Sequence, residues 1–254
     1  MGQTPGKIIP LHLGLVGQNL GHSFSKSFFH EKFNKLDLPF HTYSNFEFED
    51  ESALALFLLD EVFKLNGFNI TIPYKETIIP YLDELDKSAK NIQAVNTVLV
   101  KKNRLIGFNT DVYGFETSLT PILTEIPKAA LILGTGGASK AVAFALKLLG
   151  ITYQFVSRFP KNNEFLAYEN LDKDTFDVHQ IIINCTPIGM YPNLNECPNI
   201  PYQYLNQDHI VYDLVYNPLE SLFLKKAKYQ GASIINGLLM LQFQAERAWE
   251  IWNA

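Results

Sequence analysis

Residues 129–139, Ala-Ala-Leu-Ile-Leu-Gly-Thr-Gly-Gly-Ala-Ser, run an uninterrupted apolar stretch straight into a glycine-rich turn. An apolar run without alternation reads as a strand buried on both faces, which is the habit of parallel sheets. The small residues after the turn open a helix that packs back onto that strand. A chain with this segment is committed to a parallel sheet covered by helices, with the turn at the strand's C-terminal end.

The rest of the chain repeats the same grammar. Residues 12–16 read as a strand, 26–36 as an amphipathic helix, 42–46 as a strand, 51–65 as a helix and 68–72 as a strand. Residues 73–92 read as helix in two pieces, and 96–101 with 105–108 as two short strands around the turn Lys102-Asn103. After Asp111 a second series begins, with strands at 129–133 and 153–156 around a helix at 138–149 that stops at Gly150. Strands at 178–184, 210–214 and 233–235 follow, with helices at 219–230 and 238–252. The alternation predicts two α/β halves built on parallel sheets. No internal repeat and no low-complexity linker interrupts it.

Composition bounds the partners. The 254 residues carry 21 basic and 26 acidic side chains, a formal charge of −5 with no basic stripe, which argues against nucleic acid and anionic membranes. No apolar run reaches the length of a membrane span, and the first residues lack the apolar core of a signal peptide or a myristoylation signal, since position six is glycine. Cys185 and Cys197 have neither metal spacing nor a disulfide framework, which predicts a reducing, cytoplasmic setting. The six histidines show no ligand spacing, so no metal is expected.

Two segments carry candidate chemistry. At the glycine turn, Gly134, Gly136 and Gly137 allow close backbone approach to a phosphate, Thr135 lies within the turn, and Ala138 and Ser139 permit tight helix–strand packing. Ser139 stands where the dinucleotide fingerprint has its third glycine. Past the next strand the chain reads Ser157-Arg158 where an NAD enzyme presents a carboxylate. The planar donors of Arg158 suit a 2′-phosphate, favouring NADP(H) over NAD(H), while a solvated surface arginine at a strand end satisfies the same position.

The other segment is Asn69-Ile-Thr-Ile-Pro-Tyr-Lys-Glu76. Period-two alternation sends Ile70 and Ile72 to one face and Asn69 and Thr71 to the other, a polar face at a strand's C-terminal end where α/β proteins bind ligands. With Pro73 at a first helical position, Lys75 falls in the first turn, where the helix dipole disfavours a cation and eases proton release. Asp111, at the start of a helix, is a possible partner. A lysine snorkelling to solvent and an aspartate serving as a helix cap satisfy the same residues.

The ordered motifs His22-Ser-Phe-Ser25, Asn69–Glu76, Ala94-Val-Asn-Thr97, Asn109-Thr-Asp111, Gly134-Thr-Gly-Gly-Ala138, Asn184-Cys-Thr-Pro187 and Gly237 through Gln244-Ala245 resemble those of the shikimate dehydrogenase family, from about Leu13 to Trp252. The resemblance implies reversible NADPH-dependent reduction of 3-dehydroshikimate to shikimate, a small-molecule substrate, and a monomer or homodimer. It assigns Lys75 and Asp111 as the catalytic pair, with Asp111 holding the ammonium. Ser23 and Ser25 would bind the substrate carboxylate, and Thr71, Asn96, Asp111 and Gln244 would contact carboxylate or ring hydroxyls. Tyr216 would line the substrate site beside the nicotinamide. The cofactor set would be Gly134, Thr135, Gly136, Gly137, Ala138, Ser157, Arg158 and Gly237.

The implied layout is a substrate-binding domain of residues 1–110 plus 236–254 and a doubly wound, Rossmann-type NADP-binding domain of 111–235, the C-terminal helix returning to the first. His22 would orient the serine loop, and Phe243, Trp249 and Trp252 would serve packing. Three positions depart from the family pattern. Lys26 stands for proline and leaves both serine hydroxyls in place. Phe159 replaces a polar residue, which weakens the grip on the 2′-phosphate. Leu239 replaces a glycine before Gln244. Two other readings are a quinate-oxidising relative that prefers NAD and a non-catalytic nucleotide-binding regulator, the latter disfavoured by intact Lys75 and Asp111.

Overall fold

The computed structural model describes residues 9–21, 23–160 and 165–254, so His22 lies outside the described residues. The backbone divides into two compact units. One takes the described residues up to Asn109 together with Ala248–Ala254, and the other takes Thr110–Arg247. The division falls within the last helix, whereas the sequence reading begins the returning segment at residue 236.

The first unit is a six-stranded sheet in the order β2-β1-β3-β5-β6-β4. At its centre, β1 (His12–Gly17) pairs in parallel with β2 (Thr42–Glu47) and β3 (Gly67–Ile70). β5 (Thr97–Lys101) is antiparallel to β3 and forms a hairpin with β6 (Arg104–Phe108). Lys102 and Asn103 both adopt positive φ, 54° and 58°, the left-handed pair that a two-residue hairpin turn requires. A two-residue strand, β4 (Glu84–Leu85), completes the edge. This sheet is therefore mixed rather than parallel. A hairpin joins strands through two residues, with no helix to carry a parallel crossover.

Among the described residues, three helices cover this sheet. α1 (Phe24–Lys35) is capped by Ser23, buries Phe29 and Phe33 one turn apart, and places Lys32 and Lys35 where its C-terminal dipole favours cations. α2 (Glu51–Leu59) is capped by Asp50 and gives way to a 3-10 turn at Glu61–Lys64. α3 (Lys87–Ile92) is capped by Asp86 and ends at Gln93 in the left-handed region. The end of the chain docks here too. Trp252 donates its indole N–H to Val98 O at 2.9 Å and packs on Phe29, which stacks on Tyr43 with centroids 4.5 Å apart. Gly67 makes room for it, because a Cβ there would fall 2.2 Å from the indole nitrogen.

The expected helix after β3 does not form. Residues 72–78 are turns, followed by a 3-10 turn at Ile79–Tyr81. Pro80 explains this: in a continuous helix its ring would meet the carbonyl of Glu76 and its missing N–H would leave that carbonyl without a donor. One α-type bond, from Ile78 N–H to Tyr74 O at 3.1 Å, survives. The dipole argument for Lys75 falls with the helix. Ile72, expected on the face of Ile70, is 73% exposed because the strand has already ended.

The second unit is a six-stranded, wholly parallel sheet in the order β12-β11-β10-β7-β8-β9. Its strands are β7 (Ala129–Leu133), β8 (Thr152–Ser157), β9 (Phe165–Ala167), β10 (Ile181–Asn184), β11 (Ile210–Asp213) and β12 (Ser233–Asn236). Read from β9 the order is 3-2-1-4-5-6, the doubly wound dinucleotide-binding topology, with its switch point between β7 and β10. The helices are α4 (Asp111–Leu119), α5 (Gly137–Leu148), α6 (Lys173–Val178), α7 (Leu222–Tyr229) and α8 (Leu238–Trp252). β7 is buried throughout, and α5 buries Ala141, Val142, Ala145 and Leu146. Val178, expected to start a strand, instead ends α6, whose Asp172 cap accepts from Thr175 N–H at 2.9 Å.

Candidate active site

In the first unit the site residues cluster where β1 and β3 end. Ser23 Oγ accepts the N–H of Ser25 at 3.2 Å, which puts both hydroxyls at the start of α1. Burial pushes the Tyr43 phenol well above its ordinary value, while a hydrogen bond with Ser25 pulls the other way. Thr71 follows β3 and packs over Gly17, where a Cβ would lie 2.5 Å from the threonine methyl.

Lys75 is half-buried and its backbone is held from both sides. Tyr74 before it is 3% exposed and donates its hydroxyl to Phe48 O at 2.7 Å. The carbonyl of Lys75 itself accepts Val95 N–H at 2.7 Å, which ties the lysine to the residue before Asn96. Asn96 is 3% exposed, and its carbonyl accepts Ile70 N–H at 2.8 Å. Thr71, Lys75 and Asn96 are thus brought together by backbone pairing. Asn69, which alternation put on the ligand-facing side, is internal. Its side chain accepts from Tyr43 Oη at 2.8 Å and donates to Asn96 O and Thr97 Oγ1. The adjacent polar pair Asn69 and Thr71 was the sequence signal, but only tertiary structure separates support from site.

In the second unit, Asp111 is buried in the first turn of α4, where the helix dipole favours a carboxylate. Thr110 makes no side-chain cap; its hydroxyl donates instead to Gln244 Oε1 at 3.3 Å, and Gln244 Nε2 donates to Leu241 O at 2.9 Å. Gly114 permits this approach of α4 and α8, since a Cβ there would sit 2.5 Å from Met240 O. Asp111 and Gln244 therefore lie on neighbouring helices of this unit. Lys75 and Asp111 belong to different units.

The glycine turn sits at the end of β7. Gly134 has φ +107° and donates its N–H to Val156 O at 2.9 Å. Gly136 precedes α5, and Ser139 Oγ donates to Gly136 O at 2.6 Å, so the serine in the third fingerprint position is fully buried and locks the turn. A Cβ on Gly136 would meet no protein atom within 4 Å. Packing does not demand a glycine there, and what its absence of a side chain keeps clear is the approach to the helix N-terminus, as a pyrophosphate needs. Thr135 is exposed, and Gly137 and Ala138 are half-buried at the start of α5. Ser157 ends β8 and accepts Phe159 N–H at 3.2 Å. Arg158 is exposed, and its charge draws the Tyr168 phenol down against the larger upward push of burial.

Gly237 N–H donates to Val215 O at 3.2 Å, next to the half-buried Tyr216, whose phenol burial pushes upward. Sequence reasoning missed Thr186, whose methyl would lie 2.9 Å from a Cβ on Gly134. Its place in the Asn184–Pro187 motif was the signal.

Cys185 is half-buried, with burial foremost holding its thiol far above the ordinary range, so it offers no thiolate. A cavity of about 400 Å³ lined by Tyr202, Gln203, Lys225, Lys226, Tyr229 and Gln230 lies along α7 and includes none of these site residues. Among the described residues no group of His, Cys, Asp and Glu could hold a metal ion, and no helix is long and apolar enough to cross a membrane.

Residues 15–98 match the profile described as the shikimate dehydrogenase substrate binding domain. A shikimate dehydrogenase (NADP(+)) of Methanococcus maripaludis is 40% identical over 260 residues, covering 95% of this chain and 91% of the relative. The shikimate 5-dehydrogenase of Thermus thermophilus, solved with NADP(H) and shikimate, matches with TM-score 0.85 and 32% identity over 95% of this chain and 93% of that one. The quinate dehydrogenase of Corynebacterium glutamicum, solved with NAD, matches with TM-score 0.86 and 27% identity over 96% and 93%. A doubly wound sheet with a glycine turn at its switch point is common to many enzymes, but 40% identity over nearly the whole length is not, and this chain belongs to the shikimate dehydrogenase family.

Proposed function

We propose that the chain catalyses the reversible NADPH-dependent reduction of 3-dehydroshikimate to shikimate. The observation that carries the reading is the placement of Lys75: its backbone is pinned between the buried Tyr74 and Val95, beside Thr71 and Asn96, at the end of β3. Ser23 and Ser25 bind the substrate carboxylate through hydroxyls. Thr71, Asn96, Asp111 and Gln244 orient the ring hydroxyls, and Tyr216 lines the substrate site. Gly134, Thr135, Gly136, Gly137, Ala138, Ser157, Arg158 and Gly237 hold NADP(H), which supplies the hydride that the carbonyl carbon accepts.

Lys75 donates the matching proton to the carbonyl oxygen as its negative charge develops, and takes it back in the oxidative direction. Asp111 accepts a hydrogen bond from the neighbouring hydroxyl and so fixes the ring. Its buried carboxylate at a helix start is pre-organised for that task. The two free thiols fit a reducing cytoplasm as the enzyme's setting.

Absorbance at the nicotinamide band, with shikimate and either NADP or NAD, tests the assignment. We expect NADP reduction, and a kcat about 10²–10⁴-fold lower in Lys75→Ala with a smaller change in KM. Equal kcat in variant and wild type refutes the role of Lys75. Turnover of quinate with NAD instead refutes the substrate.

A further inference from the structure

Polar side chains at the C-terminal ends of adjacent strands in the second unit form a hydrogen-bonded chain that takes no part in the proton or hydride transfer. Asp213 ends β11, Asn184 ends β10, and both are 0% exposed. Asp213 Oδ1 accepts Asn184 Nδ2 at 2.9 Å and Val215 N–H at 3.0 Å, while Oδ2 accepts Ser221 Oγ at 2.5 Å. Asn184 turns its Oδ1 to accept both the N–H of Thr186 at 3.0 Å and the Thr186 hydroxyl at 2.6 Å. The Thr186 methyl in turn closes on Gly134.

A buried carboxylate is costly, and replacing it with well-packed apolar groups is often neutral or stabilising. Its presence calls for a reason beyond holding the fold. Ser221 supplies a structural arm, because its hydroxyl also caps α7 by accepting Leu224 N–H. The other two arms run toward chemistry. Val215 immediately precedes Tyr216, and Thr186 abuts the glycine turn. We propose that Asp213 is a positioning residue that sets two parts of the reaction site at once: the loop carrying Tyr216, through Val215 N–H, and the turn at Gly134, through Asn184 and Thr186. The inference rests on reading that turn as the cofactor's and Tyr216 as the substrate's.

Three variants test it by NADP binding to the cofactor-free protein, measured calorimetrically, and by KM for shikimate. Asp213→Ala raises both the Kd for NADP and the KM for shikimate about tenfold, the worth of a lost charge-assisted hydrogen bond. Asp213→Asn restores both toward wild type, because its oxygen still receives Asn184 and Val215 and its amide can donate to Ser221. Thr186→Val keeps the packing shape, loses the hydroxyl, and raises the Kd for NADP alone. A lowered Tm in Asp213→Ala with both constants unchanged overturns the proposal. If that variant does not fold, wild-type NADP affinity in Thr186→Val overturns it equally. A wild-type protein that binds no NADP would refute the proposed function instead.

Discussion

Gly237→Ala puts one methyl group into a place the structure shows to be filled. A Cβ at this position would lie 2.1 Å from Leu214 O and 2.6 Å from Leu214 C. An ordinary carbon–oxygen contact is about 3.3 Å, so the two backbones must separate by roughly 1.2 Å. Leu214 cannot retreat freely, because its N–H donates to Asn184 O at 3.0 Å within the sheet end. Gly237 cannot either, since its N–H donates to Val215 O and its carbonyl accepts Leu241 N–H at 3.0 Å in the first turn of α8. Overpacking of this kind costs about 2–3 kcal/mol, which for a chain of this size lowers Tm by about 4–12 °C. A displacement near 1 Å beside the cofactor residues is also enough to lower kcat/KM about 10²-fold. Thermal unfolding followed by circular dichroism reads the first effect, and initial rates with NADP and shikimate read the second. A variant with unchanged Tm and unchanged kcat/KM would show that the contact at Leu214 relaxes at no cost, and the argument would fail.

Arg158→Ala should raise KM for NADP about 10–100-fold and leave KM for NAD unchanged, because only the 2′-phosphate loses its charge-assisted donors; equal effects on both cofactors would refute the assignment. Trp252→Phe removes the indole donor to the buried Val98 carbonyl and part of the ring packed on Phe29, at about 2–4 kcal/mol by urea unfolding, and a loss under about 0.5 kcal/mol by the same bookkeeping would contradict the anchoring role. Asp213 gives a pH dependence. Burial raises its carboxyl from 3.8 to about 6, against the hydrogen bonds that lower it, so the folded state holds a proton that the unfolded state has released between those values. Its contribution to stability is therefore fully present below about pH 3.8 and lost as pH rises through about 6, by about 3 kcal/mol in all. The stability difference between wild type and Asp213→Asn, measured by denaturant unfolding at several pH values, should fall by that amount across the window; a constant difference would refute it.

The parts legible in the sequence are those specified locally. β7 at 129–133 and α8 at 238–252 fall where the apolar runs place them, β7 as an unbroken apolar run ended by Gly134 and α8 as a segment long enough to display a helical period and preceded by Gly237. The Lys102-Asn103 turn was legible for the same reason, being a short polar break between two apolar strands. β9 and α6 were not. Phe165–Ala167 is too short to show alternation, and α6 buries only Phe176, so neither leaves a periodic trace. The turns after β3 defeated the helical reading because Tyr74 and Ile78 do have helical spacing, and the veto comes from Pro80, six residues past the tyrosine.

The support of the site was the least legible part, and the reason is physical. Asn69, Asn184 and Asp213 all sit at or near strand ends, where polar residues are expected to face solvent or ligand. Each is 5% exposed or less. Their partners are brought to them by strand pairing: β3 with β5 for Asn69, and β10 with β11 for the Asn184–Asp213 pair, which face one another in register. The hydrogen bond between those two side chains joins residues 29 apart in sequence, so no local pattern encodes it. A single chain announces which polar residues stand at the ends of its strands. Whether such a residue touches the ligand or holds the one that does is decided only when the neighbouring strand arrives, and that is why the pairing of Asn184 with Asp213 emerges from the register of the sheet.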